Sequence, residues 1–332
     1  MKNNIKSFVT YRLPNELDFF SLATDRNPTT ISELNFEKNG FYISNFEKNV
    51  NLVIEPENYL KNEFLTCEMT LNNSPKEETK ENYLNEIKKI TQEIKNENYT
   101  KIVHSRVKLV TKPTGFDYKE KFKLLCEKYP TAFVYAFYSE KTGLWIGATP
   151  ELLVKEVETT KYNTVSLAGT KTTPRNWTIK EIHEQQCVTD FIQKTLSSVA
   201  TNIEISKPKD SKAGNLTHLK SDFSFELNTE NKLEQLIETL HPTPAVCGIP
   251  QENAKEYILK NESHNRDFYT GFLGIKSLNN QTNLYVNLRC MQVCKDNVAL
   301  YIGGGIMGDS IPEEEWQETE SKAKVMLVVL EE

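Results

Sequence analysis

Pairs of apolar runs joined by short polar turns constrain the fold of this chain more strongly than any other sequence feature. The run 132–138 (AFVYAFY) is followed by the turn SEKT and by a second apolar run, 143–148 (GLWIGA). The segment 271–294 repeats this arrangement around the turn SLNNQTN. Such pairs predict β-hairpins. Because strands and helices are mixed without strict βαβ alternation, the sequence favours an α+β fold with large antiparallel sheets.

Helices are predicted where apolar residues recur with helical spacing. Leu84, Ile87, Ile90 and Ile94 follow this spacing and predict one helix. The other predicted helices are 118–129, 178–200, 231–240, 251–261 and 312–330. The β-branched run KIVHSRVKLV predicts a strand over 101–110, and the polar segments 71–82 and 205–215 are predicted as loops.

Composition and charge exclude several classes of partner and location. The 332 residues carry a net charge of −6, so neither nucleic acid nor an anionic membrane is expected as a partner. No apolar run approaches the ~20 residues of a membrane span, and the start of the chain lacks the apolar segment of a secretory signal. The six cysteines are scattered, which is typical of reduced thiols in a cytoplasmic protein.

Two predicted helices each carry an E-x-x-E pair. Glu181 and Glu184 share one helix face with apolar residues, and Glu315 and Glu318 share theirs with Lys322. Each pair taken singly is consistent with a solvated helix face. Both pairs facing one cavity would form an all-oxygen site that suits Mg²⁺, and neither helix supplies the Glu-x-x-His of a di-iron site.

Arg289 and a glycine triplet are the next candidates for a site. Arg289 lies inside the apolar run NLYVNLRCMQV, which predicts a single strand, and there it would be either a carboxylate clamp or part of an ion pair at the edge of the core. Gly303, Gly304 and Gly305 end a predicted strand. They would allow a ligand to approach the backbone closely, or they would serve tight sheet packing.

Three further residues are unremarkable by their local pattern alone. Lys101 begins a predicted strand, Glu151 follows a Thr-Pro pair, and His218 lies in THLKS. A lysine at a strand start is typically a surface residue, and a single histidine is more often structural. The sequence contains no P-loop, no G-x-S-x-G and no HExxH motif.

Nine short stretches occur in an order that is typical of one enzyme family. They are KIVHSR (101–106), WIGATPELL (145–153), SLAGT (166–170), EIHEQ (181–185), HPTPAVCGIP (241–250), RDFYTGFLG (266–274), NLRC (287–290), YIGGGI (301–306) and PEEEWQETESKAK (312–324). With them, the chain resembles the chorismate-utilising enzymes, which are the isochorismate, salicylate, anthranilate and aminodeoxychorismate synthases.

The resemblance implies both a fold and a division of the chain. The fold would be that of anthranilate synthase component I, with two large, mainly antiparallel sheets stacked face to face and helices outside. Residues 1–95 would be a variable N-terminal region packed into the same unit, and 96–330 the chorismate-binding catalytic domain.

The resemblance also separates the members of the family by their nucleophile. Lys101 is similar to the lysine that deprotonates water in isochorismate and salicylate synthases, where anthranilate synthases typically have Gln. Ala168 replaces the nucleophilic lysine of aminodeoxychorismate synthases. The stretches HPTPA and EWQETE look most like isochorismate synthase.

The implied activity is the Mg²⁺-dependent, reversible conversion of chorismate to isochorismate. Lys101 would deprotonate the water that attacks C2, and Glu151 would protonate the C4 hydroxyl as it leaves. Such a lysine base has to be buried or close to cationic charge, and such a glutamic acid needs a raised pKa. Glu184 and Glu318 would hold the metal, with support from Glu181 and Glu315. The implied substrate-binding residues are Arg289, Gly303, Gly304, Gly305, Gly169, Thr170, His218 and Lys322.

Alternatives within this resemblance stay open. A salicylate synthase would use the same lysine and then eliminate pyruvate. An anthranilate synthase large subunit would dock a glutamine amidotransferase, and a non-catalytic subunit would only bind chorismate; Lys101 and Glu151 speak against such a binder. We expect a monomer without an amidotransferase partner, whose product enters menaquinone or siderophore biosynthesis.

Overall fold

Two antiparallel sheets form the framework of the molecule. The computed structural model describes residues 5–331 except 66, 172, 214–215, 228–230 and 279. Strands and helices are numbered along the chain. In spatial order, the first sheet contains β15 (Gly248–Ile249), β7 (Lys101–Thr111), β19 (Asn297–Ile306), β18 (Cys290–Val293), β9 (Gly143–Thr149), β8 (Phe133–Ser139), β1 (Ser7–Arg12), β2 (Phe20–Thr24) and β6 (Asn58–Lys61).

The second sheet has the same antiparallel character. Its order is β12 (Ala200–Ile205), β14 (Leu216–Leu227), β11 (Lys161–Lys171), β10 (Leu152–Glu158), β17 (Gln281–Val286), β16 (Phe272–Leu278), β4 (Gly40–Ser44), β5 (Asn51–Ile54) and β3 (Thr29–Ile31), and β13 (Lys209–Ala213) pairs with β14. The two predicted hairpins are confirmed as β8–β9 and β16–β17.

Alternation along the strands explains why the sheets stack. Phe133, Tyr135 and Phe137 of β8 lie in a core that also contains residues of β4, β5 and β16, so this core fills the space between the sheets. Val134 and Ala136 point the other way and pack with residues of α2 and α6. Strands buried on both faces are therefore apolar at nearly every position, and each fully buried large side chain contributes about 1.5–3 kcal/mol.

Helices cover the outer faces of both sheets. Their bounds are α1 (Lys80–Lys95), α2 (Tyr118–Lys128), α3 (Ile179–Val199), α4 (Asn231–Leu240), α5 (Gln251–Asn261) and α6 (Pro312–Leu330). Helices α2 and α6 pack on the first sheet, and α3 and α4 pack on the second. All six predicted helices are present, and side-chain caps explain several of their starts, such as Thr178 before α3.

Two predictions of local structure are wrong. The apolar run around Arg289 is not one strand, because β17 belongs to the second sheet and β18 to the first. Arg289 lies at the crossover with a φ of 50°. The predicted loop 205–215, of which 214–215 are outside the described residues, contains β13. Its polarity reflects an exposed position at the edge of the second sheet.

Residues 7–61 add strands to both sheets. β1, β2 and β6 extend the first sheet, while β3, β4 and β5 extend the second. Among the described residues, none of the helices combines the length and the apolar character that crossing a membrane requires.

Candidate active site

A cavity is lined by residues from both sheets and two helices. Its walls come from β7 and β19 of the first sheet, β11 and β14 of the second, and α3 and α6. Ten of the predicted site residues line it: Glu151, Gly169, Thr170, Glu184, His218, Arg289, Gly303, Gly304, Gly305 and Lys322. Lys101, Glu181, Glu315 and Glu318 are not among the lining residues, but Lys101 lies beside Gly305, and Glu315 and Glu318 lie beside Gly304.

Lys101 is buried at the start of β7. Its side chain has no exposed surface, and its Nζ lies 2.9 Å from Glu184 Oε1. The contact is an ion pair outside hydrogen-bond geometry, so the N–H groups of Lys101 make no directed hydrogen bond. A Cβ at Gly305 would lie 2.7 Å from Lys101 Cε. The absence of a side chain at Gly305 therefore lets Lys101 pass close to the cavity wall.

Glu151 is a buried carboxyl group in the wall of the cavity. It follows β9 and precedes β10, and it is 4% exposed. Burial raises the pKa of Glu151 to about 7, against the opposing charges of Lys101, Arg289 and Lys322. The group can therefore carry a proton near neutral pH, as a general acid must.

Arg289 is held by a chain of hydrogen bonds that starts at Gly169. The Gly169 carbonyl accepts from His218 Nδ1 at 2.9 Å. This fixes the proton on Nδ1 and leaves Nε2 as an acceptor for Arg289 Nη2 at 3.3 Å. Burial and the charge of Arg289 lower the pKa of His218 to about 3, so the ring is neutral. Arg289 Nη1 is buried without a hydrogen-bond partner, which suits a carboxylate ligand.

The glycine triplet forms the part of β19 that lies closest to the charged side chains. A Cβ at Gly303 would lie 2.8 Å from the Tyr269 hydroxyl. A Cβ at Gly304 would lie 3.5 Å from Glu315 Oε2 and 3.8 Å from Glu318 Oε1. Lys322 Nζ donates to the Gly303 carbonyl at 2.9 Å. Close approach of side chains therefore explains the glycines at 303 and 305, whereas a Cβ at Gly304 would make ordinary van der Waals contacts.

Three of the four predicted metal ligands lie around this triplet. Glu184 is next to Gly305, and Glu315 and Glu318 are next to Gly304. Burial and the charge of Glu318 raise the pKa of Glu315. Burial also acts to raise the pKa of Glu318, but the charge and hydrogen bond of Lys322 hold it below its ordinary value. Glu318 is thus the carboxylate of this pair that keeps its charge.

Glu181 has a different environment. It closes a capping box with Thr178 at the start of α3 and accepts from Arg175 Nη1 at 2.8 Å. The spacing T-x-x-E is the sequence signal for such a cap. Both carboxylate oxygens are engaged, and its supporting role toward a metal stays a prediction.

The chemistry of the carboxylates fits Mg²⁺, which takes hard oxygen ligands. Within the described part of the chain, however, no set of three Cys, His, Asp or Glu side chains is arranged to hold a metal ion. Glu184, Glu315 and Glu318 instead each form an ion pair with a lysine. A metal at this site would therefore displace lysine contacts.

Lys180 and Tyr269 are two polar residues at this site that were not predicted. Lys180 pairs with Glu315 at 2.6 Å, across from α3 to α6, and the local sequence gives no signal for a contact so distant along the chain. Tyr269 lines the cavity beside Gly303, and its place in the stretch RDFYTGFLG was the available signal.

Comparison with known proteins gives consistent results. Residues 42–331 match the family model described as chorismate binding enzyme. Isochorismate synthase DhbC of Bacillus subtilis is 30% identical over 269 residues, which cover 74% of this chain and 67% of that protein. Isochorismate synthase EntC of Escherichia coli strain K12 is 26% identical, over 69% of this chain and 62% of that protein.

Solved structures extend the similarity to nearly the whole chain. A putative 2,3-dihydroxybenzoate-specific isochorismate synthase, DhbC from Bacillus anthracis, has a TM-score of 0.82 at 26% identity and covers 99% of this chain and 97% of its own. Anthranilate synthase component I from Streptococcus pneumoniae has a TM-score of 0.72 at 18% identity, covering 98% of this chain and 92% of its own, and so shares the fold. These matches confirm the predicted fold and the resemblance, and the chain belongs to the chorismate binding enzyme family.

Proposed function

We propose that this enzyme is an isochorismate synthase that exchanges the C4 hydroxyl of chorismate for a hydroxyl at C2. The observation that carries the proposal is that Glu151 is a buried, protonatable acid in the cavity wall and that buried Lys101 is near enough for its charge to act on Glu151. A base and an acid whose environments differ are what a hydroxyl exchange needs. The isochorismate synthase relatives support the same activity.

The reaction requires two proton transfers. Water forms a bond from its oxygen to C2, and Lys101 takes one of its protons. The ring double bonds shift, the C4–O bond breaks, and Glu151 gives its proton to the departing hydroxyl, which leaves as water. Each residue ends in the opposite protonation state, so the same pair can catalyse the reverse reaction.

The ion pair of Lys101 and Glu184 sets a condition on this scheme. Lys101 Nζ lies 2.9 Å from Glu184 Oε1, and this contact has to open before Nζ can face the attacking water. Glu184 has a second proposed role as a metal ligand, and that role would draw its carboxylate away from Lys101.

The substrate carries two carboxylates, and the cavity offers cationic groups to bind them. Arg289, with its unpartnered Nη1, and the backbone around Gly303 would bind the carboxylate of the pyruvyl ether. Mg²⁺, held by Glu184 and Glu318 with support from Glu181 and Glu315, would bind the ring carboxylate and neutralise its charge. His218 Nε2 accepts a hydrogen bond from the guanidinium of Arg289, and Gly169 and Thr170 form the adjoining wall.

The proposal extends to the nucleophile and the setting of the enzyme. Ammonia needs no deprotonation, so a lysine base indicates that water is the nucleophile and that no glutamine amidotransferase partner is required. Ala168 lines the cavity and cannot form a covalent adduct. All six cysteines carry free thiols, which suits a cytoplasmic enzyme, and we propose that it acts as a monomer.

The test is a product assay on chorismate with Mg²⁺ and a high concentration of ammonium, followed by chromatography. We expect isochorismate as the main product, with no requirement for glutamine or ammonium. Lys101→Ala should lose about 10²- to 10⁴-fold in turnover, and Glu151→Gln should lose turnover because an amide cannot protonate the leaving hydroxyl.

The reverse reaction and substrate binding serve as controls. Both variants should bind chorismate, because neither residue contacts the carboxylates in this scheme, and both should block conversion of isochorismate to chorismate. Anthranilate as the main product, pyruvate release with a fluorescent phenol, or undiminished turnover of Lys101→Ala would each overturn the assignment.

A further inference from the structure

Each of the three carboxylates around Gly304 and Gly305 forms an ion pair with a different lysine. The pairs are Lys101 with Glu184 at 2.9 Å, Lys180 with Glu315 at 2.6 Å, and Lys322 with Glu318 at 2.6 Å. Three lysines and three carboxylates compensate each other in charge. A partly buried anion needs a nearby cation or proton. The three lysines therefore allow the three carboxylates to lie close together.

Lys180 is less constrained than the other two lysines, and its side chain can move away from its carboxylate partner. Lys101 has no exposed surface, and Lys322 has a second anchor in the Gly303 carbonyl. Lys180 is the second residue of α3, and its side chain is 25% exposed. Its long stem can therefore rotate toward solvent, whereas its partner Glu315, with a side chain only 2% exposed, cannot follow.

We propose that Lys180 is a replaceable counter-ion that holds Glu315 in the metal-free enzyme and moves to solvent when a divalent cation binds. The inference rests on the proposed magnesium site and adds a residue that controls it. Mg²⁺ prefers carboxylate oxygens, and the lysine ammoniums occupy the same oxygens. A cation that enters a charge-compensated cluster has to displace one of them.

The inference predicts how Lys180 sets the affinity for the metal. Lys180→Met keeps a long apolar stem but removes the competing charge, so Mg²⁺ should bind more tightly. Lys180→Arg keeps the charge and can hold Glu315 with two hydrogen bonds, so Mg²⁺ should bind no more tightly than to the wild type. Lys161→Met is a matched control, because Lys161 pairs with Glu158 on the exposed surface of the second sheet.

The experiment is a calorimetric titration of each protein with MgCl₂ in the absence of chorismate. We expect about tenfold tighter binding to Lys180→Met, which corresponds to about 1.4 kcal/mol. Lys180→Arg should bind as the wild type does or more weakly, and Lys161→Met should match the wild type. Because this readout involves no turnover, it is independent of the catalytic role of the cavity.

Thermal unfolding guards against a variant that is merely unstable. Lys180→Met leaves Glu315 buried without its partner, so its Tm should fall without metal and rise more with Mg²⁺ than the wild-type Tm does. Adding Glu315→Gln to this variant should restore the metal-free Tm. A Tm that falls and is not recovered by Mg²⁺ would indicate a purely structural ion pair and would overturn the inference.

The outcomes separate this inference from the proposed function. Wild type that binds Mg²⁺, together with unchanged affinity in Lys180→Met, would overturn the role of Lys180 and leave the isochorismate synthase proposal standing. Absence of Mg²⁺ binding in the wild type and in every variant would overturn the metal site and the role of Lys180 together.

Discussion

Glu151→Gln should stabilise the protein at alkaline pH while it removes activity. Burial raises the pKa of Glu151 to about 7 from an ordinary value of 4.5. The folded protein therefore holds a proton that the unfolded chain releases at a lower pH. The stability contributed by this proton is fully present below about pH 4.5 and is lost as the pH rises through 7. A glutamine at the same position does not titrate and avoids this loss.

The size of the effect follows from the two pKa values. They differ by about 2.5, and one pKa unit corresponds to about 1.36 kcal/mol. At pH 8 or above, the wild type should be less stable than Glu151→Gln by roughly 3 kcal/mol, and the difference should nearly vanish toward pH 4.5. The rate of the forward reaction should likewise fall as the pH rises above about 7, because the protonated acid is depleted.

Urea unfolding of the metal-free, substrate-free proteins at several pH values between 4.5 and 8.5 measures the difference directly. Glu256→Gln, on the exposed face of α5, is the matched control and should show no such difference between its pH profile and that of the wild type. Identical pH profiles for wild type and Glu151→Gln would refute the argument that Glu151 is a buried, neutral acid.

Three further perturbations probe the site and its support. Arg289→Lys keeps a charge but loses the fork of the guanidinium, so KM for chorismate should rise about tenfold with a smaller effect on kcat; an unchanged KM would contradict the clamp. Glu318→Ala should abolish metal-dependent turnover with an unchanged circular dichroism spectrum, and full activity of EDTA-treated wild type would show that no metal is needed. Burial acts to raise the pKa of Glu262, but Arg266 beside it holds the pKa at about 2. Glu262→Gln should therefore lower the free energy of unfolding by about 3–5 kcal/mol at pH 7, and the loss should shrink as the pH falls from 4.5 toward 2 in urea unfolding.

The helices and hairpins could be predicted because their signals are local. Ile87, Ile90 and Ile94 of α1 pack in a core cluster, and the continuous apolar run in Phe133–Ser139 follows directly from a strand buried on both faces. The crossover at Arg289 could not be predicted, because an apolar run looks the same whether its strand stays in one sheet or passes to the other. Edge strand β13 was missed for the opposite reason, since exposure to solvent removes the apolar pattern.

The residues of the candidate site also differ in whether a local sequence pattern predicts them. The E-x-x-E helix faces are local features, and their spacing alone points to the carboxylates. Lys101 and Glu151 stand out only through the resemblance to a family, because their burial is created by segments distant in the sequence. The pair of Lys180 and Glu315 joins two helices 135 residues apart, and no local pattern encodes such a contact.

The proposed mechanism depends above all on water, deprotonated by Lys101, as the source of the new hydroxyl. The most direct test is to run the reaction on unlabelled chorismate with Mg²⁺ in water enriched in oxygen-18 and to analyse the isochorismate by mass spectrometry. The mechanism predicts one labelled oxygen per molecule, located in the C2 hydroxyl, from the first turnovers onward. Isochorismate without label would mean that the C4 hydroxyl migrates within the substrate, and it would contradict the proposed roles of both Lys101 and Glu151.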